Sequence, residues 1–170
     1  MTTEALTAEV VVVADSGPLI ALARIGRLDL LKKVHGQVLV PRAVWEEVAG
    51  AESEGRPGAS DIRASSWVKM TDAEPLAADG YSLIVDRGEA EAIALARQLP
   101  AALLLIDDGR GRRLAQHIGV RIKGTLGVLV MAKRRGLLVS VGPEIEGLRQ
   151  AGVHVARFLV EATLREVGEA

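Results

Sequence analysis

The sequence predicts an α/β protein of three layers, α/β/α, built around a central parallel sheet of about five strands. Three observations predict it. Short apolar runs alternate with helix-length stretches along the whole chain. The runs, such as Val10-Val11-Val12-Val13-Ala14 and Leu103-Leu104-Leu105-Ile106, are continuous, as strands buried on both faces require. The connections are long enough to carry a helix back across the sheet, and such crossovers are right-handed.

The elements follow in order. Residues 1–9 read as a loose tail, and 10–14 as a buried strand rich in β-branched valine. Ser16-Gly17-Pro18 opens a helix, with Ser16 as N-cap and Pro18 tolerated in the first turn. A second helix spans about 28–34 and ends at His35-Gly36. Val38-Leu39-Val40 is a short strand, and Pro41 starts a helix running to about Ala49. Residues 50–60 form a polar Gly/Pro loop, the expected flexible element. A helical turn at 61–64 leads to a strand at 67–70, then a second loop at 71–80. Residues 88–99 are an Ala-rich helix ended by Pro100. A strand at 103–106, a basic helix at 111–118 and a strand at 120–122 follow. Gly124-Thr125 opens a helix that stops before Gly136, and 143–151 and 155–167 are two further helices. The division is a tail at 1–9, a core at 10–140 and C-terminal helices at 141–170. On the last helix Val155, Phe158, Leu159 and Ala162 form one stripe, suited to the core or to a dimer contact.

Composition narrows the function classes. A chain of 170 residues, 49% hydrophobic and 25% charged, suits one soluble domain with a full core. There is no cysteine, so disulfides and thiolate metal sites are excluded, and a reducing cytoplasm suits the chain. Met1 to Glu9 lacks the pattern of a signal peptide, and no apolar run reaches spanning length, so no membrane partner is expected. The net charge of −1 gives no global attraction to nucleic acid, and 2% aromatics offers no base-stacking platform.

Four acids sit at element boundaries: Asp15, Glu47, Glu89 and Asp107. Asp15 and Asp107 each end a buried strand, and strand C-termini border the ligand crevice of an open parallel sheet. Carboxylates gathered there suit magnesium or manganese. Helical phase, at about 100° per residue, puts Glu47 at the edge of the Val44-Trp45-Val48 stripe and Glu46 further out. It puts Glu89 near the face of Ala92, Ile93 and Ala96, and Glu91 toward the opposite border, as a surface charge. Each acid alone also has a plain structural reading: a first-turn acid for Glu89, a turn former for Asp15, a helix cap for Asp108. Arg110, Arg112 and Arg113 follow Asp107-Asp108 closely and are the phosphate-binding candidates. Lys133-Arg134-Arg135 reads as cations at a helix C-terminus. His35, His117 and His154 are scattered and read as structural or surface residues. A phosphoacceptor regulatory domain also gathers acids at strand ends, but Ala14 precedes Asp15 where a paired acid is needed, and Lys123 is the only candidate lysine.

In these segments the chain resembles the PIN-domain superfamily and, within it, the DUF3368 group. The matching segments are Val12 to Ile20, Val40-Pro41 to Val48, Gly88 to Ala96, Leu105 to Asp108 and Gly124 to Leu129. Their order and spacing carry the resemblance, which spans roughly residues 10–140. It implies a PIN-like three-layer fold and a Mg2+- or Mn2+-dependent endoribonuclease with RNA as substrate. It also implies kinship to VapC-like toxins neutralised by a cognate antitoxin, and a homodimer. Carried over by position, Asp15, Glu47, Glu89 and Asp107 are the catalytic, metal-holding acids. Glu91 is an alternative third acid, Asp108 a supplementary ligand, and Ser16 a hydroxyl beside the metal. Glu89 stands where many PIN domains have aspartate, a departure that lengthens the reach by one methylene. That departure keeps open an alternative, a catalytically silent PIN-like module for nucleic-acid binding or protein interaction.

Overall fold

The structure, a computed structural model, describes residues 10–170; the tail expected at 1–9 lies outside the described residues. Five parallel strands run in the order β3-β2-β1-β4-β5: β1 (Val12–Ala14), β2 (Val38–Val40), β3 (Val68–Met70), β4 (Leu103–Leu105) and β5 (Arg121–Lys123). Valine and leucine dominate the three central strands, β2, β1 and β4, because both faces are covered, and Val13, Val38, Val40 and Leu104 are fully buried; the edge strands β3 and β5 carry Lys69, Arg121 and Lys123. Between β1 and β2 lie α1 (Ser16–Arg24) and α2 (Asp29–His35). Then come α3 (Arg42–Ala49) and α4 (Ala59–Ala64) before β3, and α5 (Pro75–Tyr81) and α6 (Arg87–Gln98) before β4. α7 (Gly109–His117) joins β4 to β5, and α8 (Thr125–Arg134), α9 (Gly142–Gln150) and α10 (Arg157–Glu166) complete the chain. The arrangement is the expected three-layer α/β/α fold around a parallel sheet. α8 packs on α1 and α2, and α6 packs on β1, β4 and α7.

Strand order reverses between β1 and β4. The chain leaves β1 for β2 on one side, and later returns to place β4 on the other. The register pairs Ala14 with Leu105, so the residues after both strands emerge side by side at the switch point.

Several local expectations are corrected. The loop at 71–80 contains α5, because Glu74 caps it through the N–H groups of Leu76 and Ala77 and Pro75 suits its first turn. The stretch 50–60 is tied down: Ser53 is buried, with its hydroxyl on the Gly50 carbonyl at 2.6 Å, and Arg63 donates to Ala49 O at 2.9 Å. α6 begins before residue 88, at Arg87, because Asp86 is its cap. Of the stripe expected on the last helix, Val155 packs against the core, while Phe158, 69% exposed, and Leu159, 46% exposed, face outward. α10 turns Thr163 inward in their place, with Val160, Leu164 and Val167 against the core. Lys133 and Arg134 hold this helix through Glu169 and Glu166, and Arg135 donates to the carbonyl of Val34. Lys133 and Arg134 of the second basic run are therefore structural, as helix-end cations are expected to be.

Candidate functional site

Asp15 follows β1 and occupies the N-cap position of α1, yet its carboxylate makes no capping hydrogen bond to that helix. It is 4% exposed. Burial pushes its pKa from 3.8 to about 7; the Ser16 N–H offsets part of this, and the charges of Glu89, Asp86 and Glu47 add to it.

Glu89 is buried in the first turn of α6. It completes a capping box: Asp86 Oδ1 accepts from the Glu89 N–H at 2.8 Å, and Glu89 Oε2 accepts from the Asp86 N–H at 3.3 Å. Desolvation, then the charges of Asp86 and Asp108, raise its pKa from 4.5 to about 7. A side-chain hydrogen bond with Asp108 adds a smaller push in the same direction. Asp108 is held below its ordinary value, first by the Gly111 N–H, then by the Arg110 N–H and the shared bond with Glu89. The expected cap role of Asp108 is present, with the Arg110 and Gly111 N–H groups at 2.8 and 3.0 Å.

Glu47 reaches the group from α3. A Cβ added at Gly88 would lie 3.4 Å from Glu47 Oε2 and 3.5 Å from Asp86 Oδ1, so the two carboxylates flank the same glycine. Glu46 is equally exposed but makes no hydrogen bond or ion pair to any of these acids among the described residues. Glu91 departs from the surface charge expected of it: it accepts from the Ala43 N–H at 2.9 Å and from Arg87 at 3.0 Å, tying α6 to the start of α3. Its phase points it at a helix N-terminus, which a carboxylate stabilises.

Asp107 follows β4 and stands on the other flank. Oδ1 accepts from the Thr125 N–H at 2.7 Å and Oδ2 from the Thr125 hydroxyl at 2.5 Å. A Cβ at Gly124 would lie 2.8 Å from Asp107 Oδ1, so glycine is what lets Asp107 approach α8. Gly17, two residues past Asp15, lies against Asp107: a Cβ added there would sit 3.6 Å from Oδ2. Ser16 is half-buried between these flanks in sequence. Of the arginines, Arg112 is half-buried and braces the Ile106 carbonyl at 2.9 Å, whereas Arg110 and Arg113 are exposed.

Sequence reasoning missed two participants. Asp86 joins the acidic group, and its signal was legible: Asp86-Arg87-Gly88-Glu89 ahead of an Ala-rich run is a capping-box pattern. Thr125 had no such signal, since only the fold brings β4 beside the start of α8.

The donor set is all carboxylate and hydroxyl oxygen, the kind a hard divalent cation takes. Asp15 and Glu89 are buried carboxyl groups, neither in an ion pair with Lys or Arg among the described residues, so the donors fit such an ion in kind. In position they are spread: among the described residues no three His, Cys, Asp or Glu side chains form a group able to hold a metal ion as they stand.

A family model described as DUF3368, PIN domain, matches residues 11–169. The chain belongs to this PIN-domain family. The match runs past residue 140 and takes in α9 and α10. PIN domains are typically nucleases, so a nuclease-type function and a nucleic-acid substrate are the general reading of this one. Neither the curated proteins nor the solved structures yield a match. No helix among the described residues is long and apolar enough to cross a membrane.

Proposed function

We propose that this PIN domain is a divalent-metal-dependent endoribonuclease whose site is Asp15, Glu47, Glu89 and Asp107, with Asp86 as a further member. The single observation that carries the reading is Asp15: a buried carboxylate at the switch point, raised to about 7, facing three more acids from two other elements. Such a group is unstable as free anions and is stabilised by a cation. Asp15, Glu47, Glu89 and Asp107 would hold Mg2+ or Mn2+, which when bound supplies an activated water and charge neutralisation at the phosphate.

The chain's own residues do the rest. Thr125 fixes the Asp107 carboxylate in one orientation through two hydrogen bonds. The capping box fixes the backbone from which Glu89 projects. Asp15, buried at the end of β1 with no capping bond to α1, keeps its carboxylate available to the site. Arg110 and Arg113, exposed just past Asp107, approach the substrate phosphates, while Arg112 holds the strand end in place.

The test is cleavage of a mixed-sequence RNA with Mg2+ or Mn2+, with Asp15→Asn and chelator as controls. Metal-dependent cleavage lost in Asp15→Asn supports the reading, and cleavage unchanged in that variant overturns the site. A role as the toxin of a toxin–antitoxin pair is a finer proposal. Induced expression should then arrest growth with the native chain and not with Asp15→Asn. A homodimer belongs to the same proposal and is read by light scattering.

One observation favours a second reading, a catalytically silent binding module: the acids are not gathered to a metal-holding group among the described residues. RNA binding without cleavage at saturating Mn2+ would select it.

A further inference from the structure

Away from the acids, a pocket of about 560 Å3 borders the N-terminal ends of the central strands. Val10, Leu103 and Arg121, at the starts of β1, β4 and β5, line it together with the C-terminal ends of α2 and α8. The carboxylates lie at the opposite, C-terminal ends of these strands. The size is that of a small-molecule site.

Its lining divides into two kinds. Val10, Val34, Leu103 and Met131 form an apolar floor, and His35, Arg121, Lys123 and Arg135 supply nitrogen. Among the described residues no acid lines it, and none of the three cations is in an ion pair. Arg121 and Arg135 each donate to a carbonyl, of Ala101 and Val34, which accounts for one face of each guanidinium. A guanidinium has five donors, so the rest remain. The Lys123 stem lies against α8, where a Cβ on Gly127 would come 2.5 Å from its Cγ, so the side chain is held in place.

His35 supplies the observation that structure alone leaves unexplained. Its Nε2 is buried and has no hydrogen-bond partner among the described residues. A buried polar atom left unpaired is costly, and one in a cavity marks a place for a ligand atom. Burial, then Arg135 and Lys123, push the imidazole down to about 4, so the ring is neutral under cations that repel its proton. An anion in the pocket would reverse that effect.

We propose that this pocket binds a small amphipathic anion, with a phosphate or carboxylate headgroup among Lys123, Arg121, Arg135 and His35 Nε2 and an apolar body on Val34, Leu103 and Met131. Three cations with no acid beside them among the described residues favour the headgroup, and the apolar floor excludes a fully hydrated ion as the best ligand. The site is independent of the nuclease reading, being made of different residues, most of them at the other end of the sheet, with Lys123 reaching it from the last position of β5.

The experiment follows the His35 ring C–H resonances by NMR, using the full chain with octyl phosphate, octanoate, inorganic phosphate and octanol as separate probes. At least one amphipathic anion should bind saturably, about tenfold more tightly than inorganic phosphate or octanol, and should raise the His35 pKa. Which of the two binds better identifies the headgroup. Lys123→Met keeps the stem against Gly127 and removes the charge, and it should weaken binding about tenfold. Arg121→Gln, at an exposed position, is the second variant should Lys123→Met not fold. No saturable shift up to about 10 mM overturns the proposal, as does octanol binding as well as octanoate. Affinity unchanged in the variants overturns it equally.

Discussion

Asp107 and Thr125 are joined twice, by the Thr125 N–H at 2.7 Å and its hydroxyl at 2.5 Å. Strand β4 therefore hands its terminal carboxylate to the start of α8, and Gly124 leaves the space for it. Thr125→Val keeps the shape and the N–H bond and removes the hydroxyl bond. The expected cost is about 1–2 kcal/mol of stability, read from the urea midpoint. RNA cleavage should fall roughly tenfold as Asp107 loses one restraint. Cleavage at the native rate in a destabilised Thr125→Val protein would confine the hydroxyl to a structural role.

The pKa values of Asp15 and Glu89 predict a stability that declines as pH rises. Unfolded, these groups ionise near 3.8 and 4.5; folded, both ionise near 7. The native state therefore binds more protons across that window. Their contribution is most favourable below about pH 4 and is lost as pH climbs through about 7, by at most about 4 kcal/mol for Asp15. Thermal melts from pH 5 to 8 should show the decline, and Asp15→Asn should make it shallower, leaving the share of Glu89. Mn2+ at pH 8 should recover much of the loss in the native chain and little in Asp15→Asn. A melting temperature insensitive to Mn2+ in both would count against a cation at this site.

Glu47 and Glu91 separate function from scaffold. Glu91 is spent on the Ala43 N–H and Arg87, so Glu91→Gln should lower stability by about 1 kcal/mol and leave cleavage within a few-fold of native. Glu47 is exposed and holds no hydrogen bond among the described residues, so Glu47→Gln should leave stability within about 0.5 kcal/mol and reduce cleavage at least about tenfold. The reverse pattern would make Glu91 the third acid. Asp86→Asn should follow Glu47→Gln in activity and lose part of the α6 cap besides.

The central strands were legible because buried parallel strands leave a local signature, a continuous apolar run between helical stretches; the edge strands β3 and β5, interrupted by Lys69 and Arg121, were read from their β-branched and aromatic residues between helical stretches. Asp15 and Asp107 were legible for the same reason, being the polar residues that end such runs. Helical phase resolved Glu89, where the Ala-rich face is strong, but misjudged Glu91. Phase reports direction relative to one helix, and Glu91 points at a second helix whose position only the fold determines. The α10 stripe is divided, with Val155 against the core and Phe158 and Leu159 facing outward. Arg134–Glu166 ties α10 to α8, and Lys133–Glu169 ties the turn that follows it. α5 was hidden because Gly80 and Pro75 read as loop formers, whereas Glu74 and Pro75 together are a helix start.

Glu169 acts on a helix it does not belong to. Its carboxylate accepts from the Val141 and Gly142 N–H groups at 2.8 Å each, the Ser140 hydroxyl at 2.6 Å and the Lys133 ammonium at 2.5 Å. The last turn of the chain thus caps α9 and pins it beside α8, completing an N-terminus that has no cap of its own. Lys133 first, then Ser140 and the two N–H groups, hold the carboxyl down at about 2 against an ordinary 4.5. A depressed acid stabilises the fold above its unfolded pKa and stops doing so as pH falls through the folded one. Glu169→Gln should therefore lower the melting temperature by a constant amount from pH 5 to 8, with the gap to the native chain closing toward pH 2. Amide exchange should rise at Val141 and Gly142 and along α10, while the strands stay protected. A gap that persists unchanged at pH 2 would mean that Glu169 contributes by packing and not by charge.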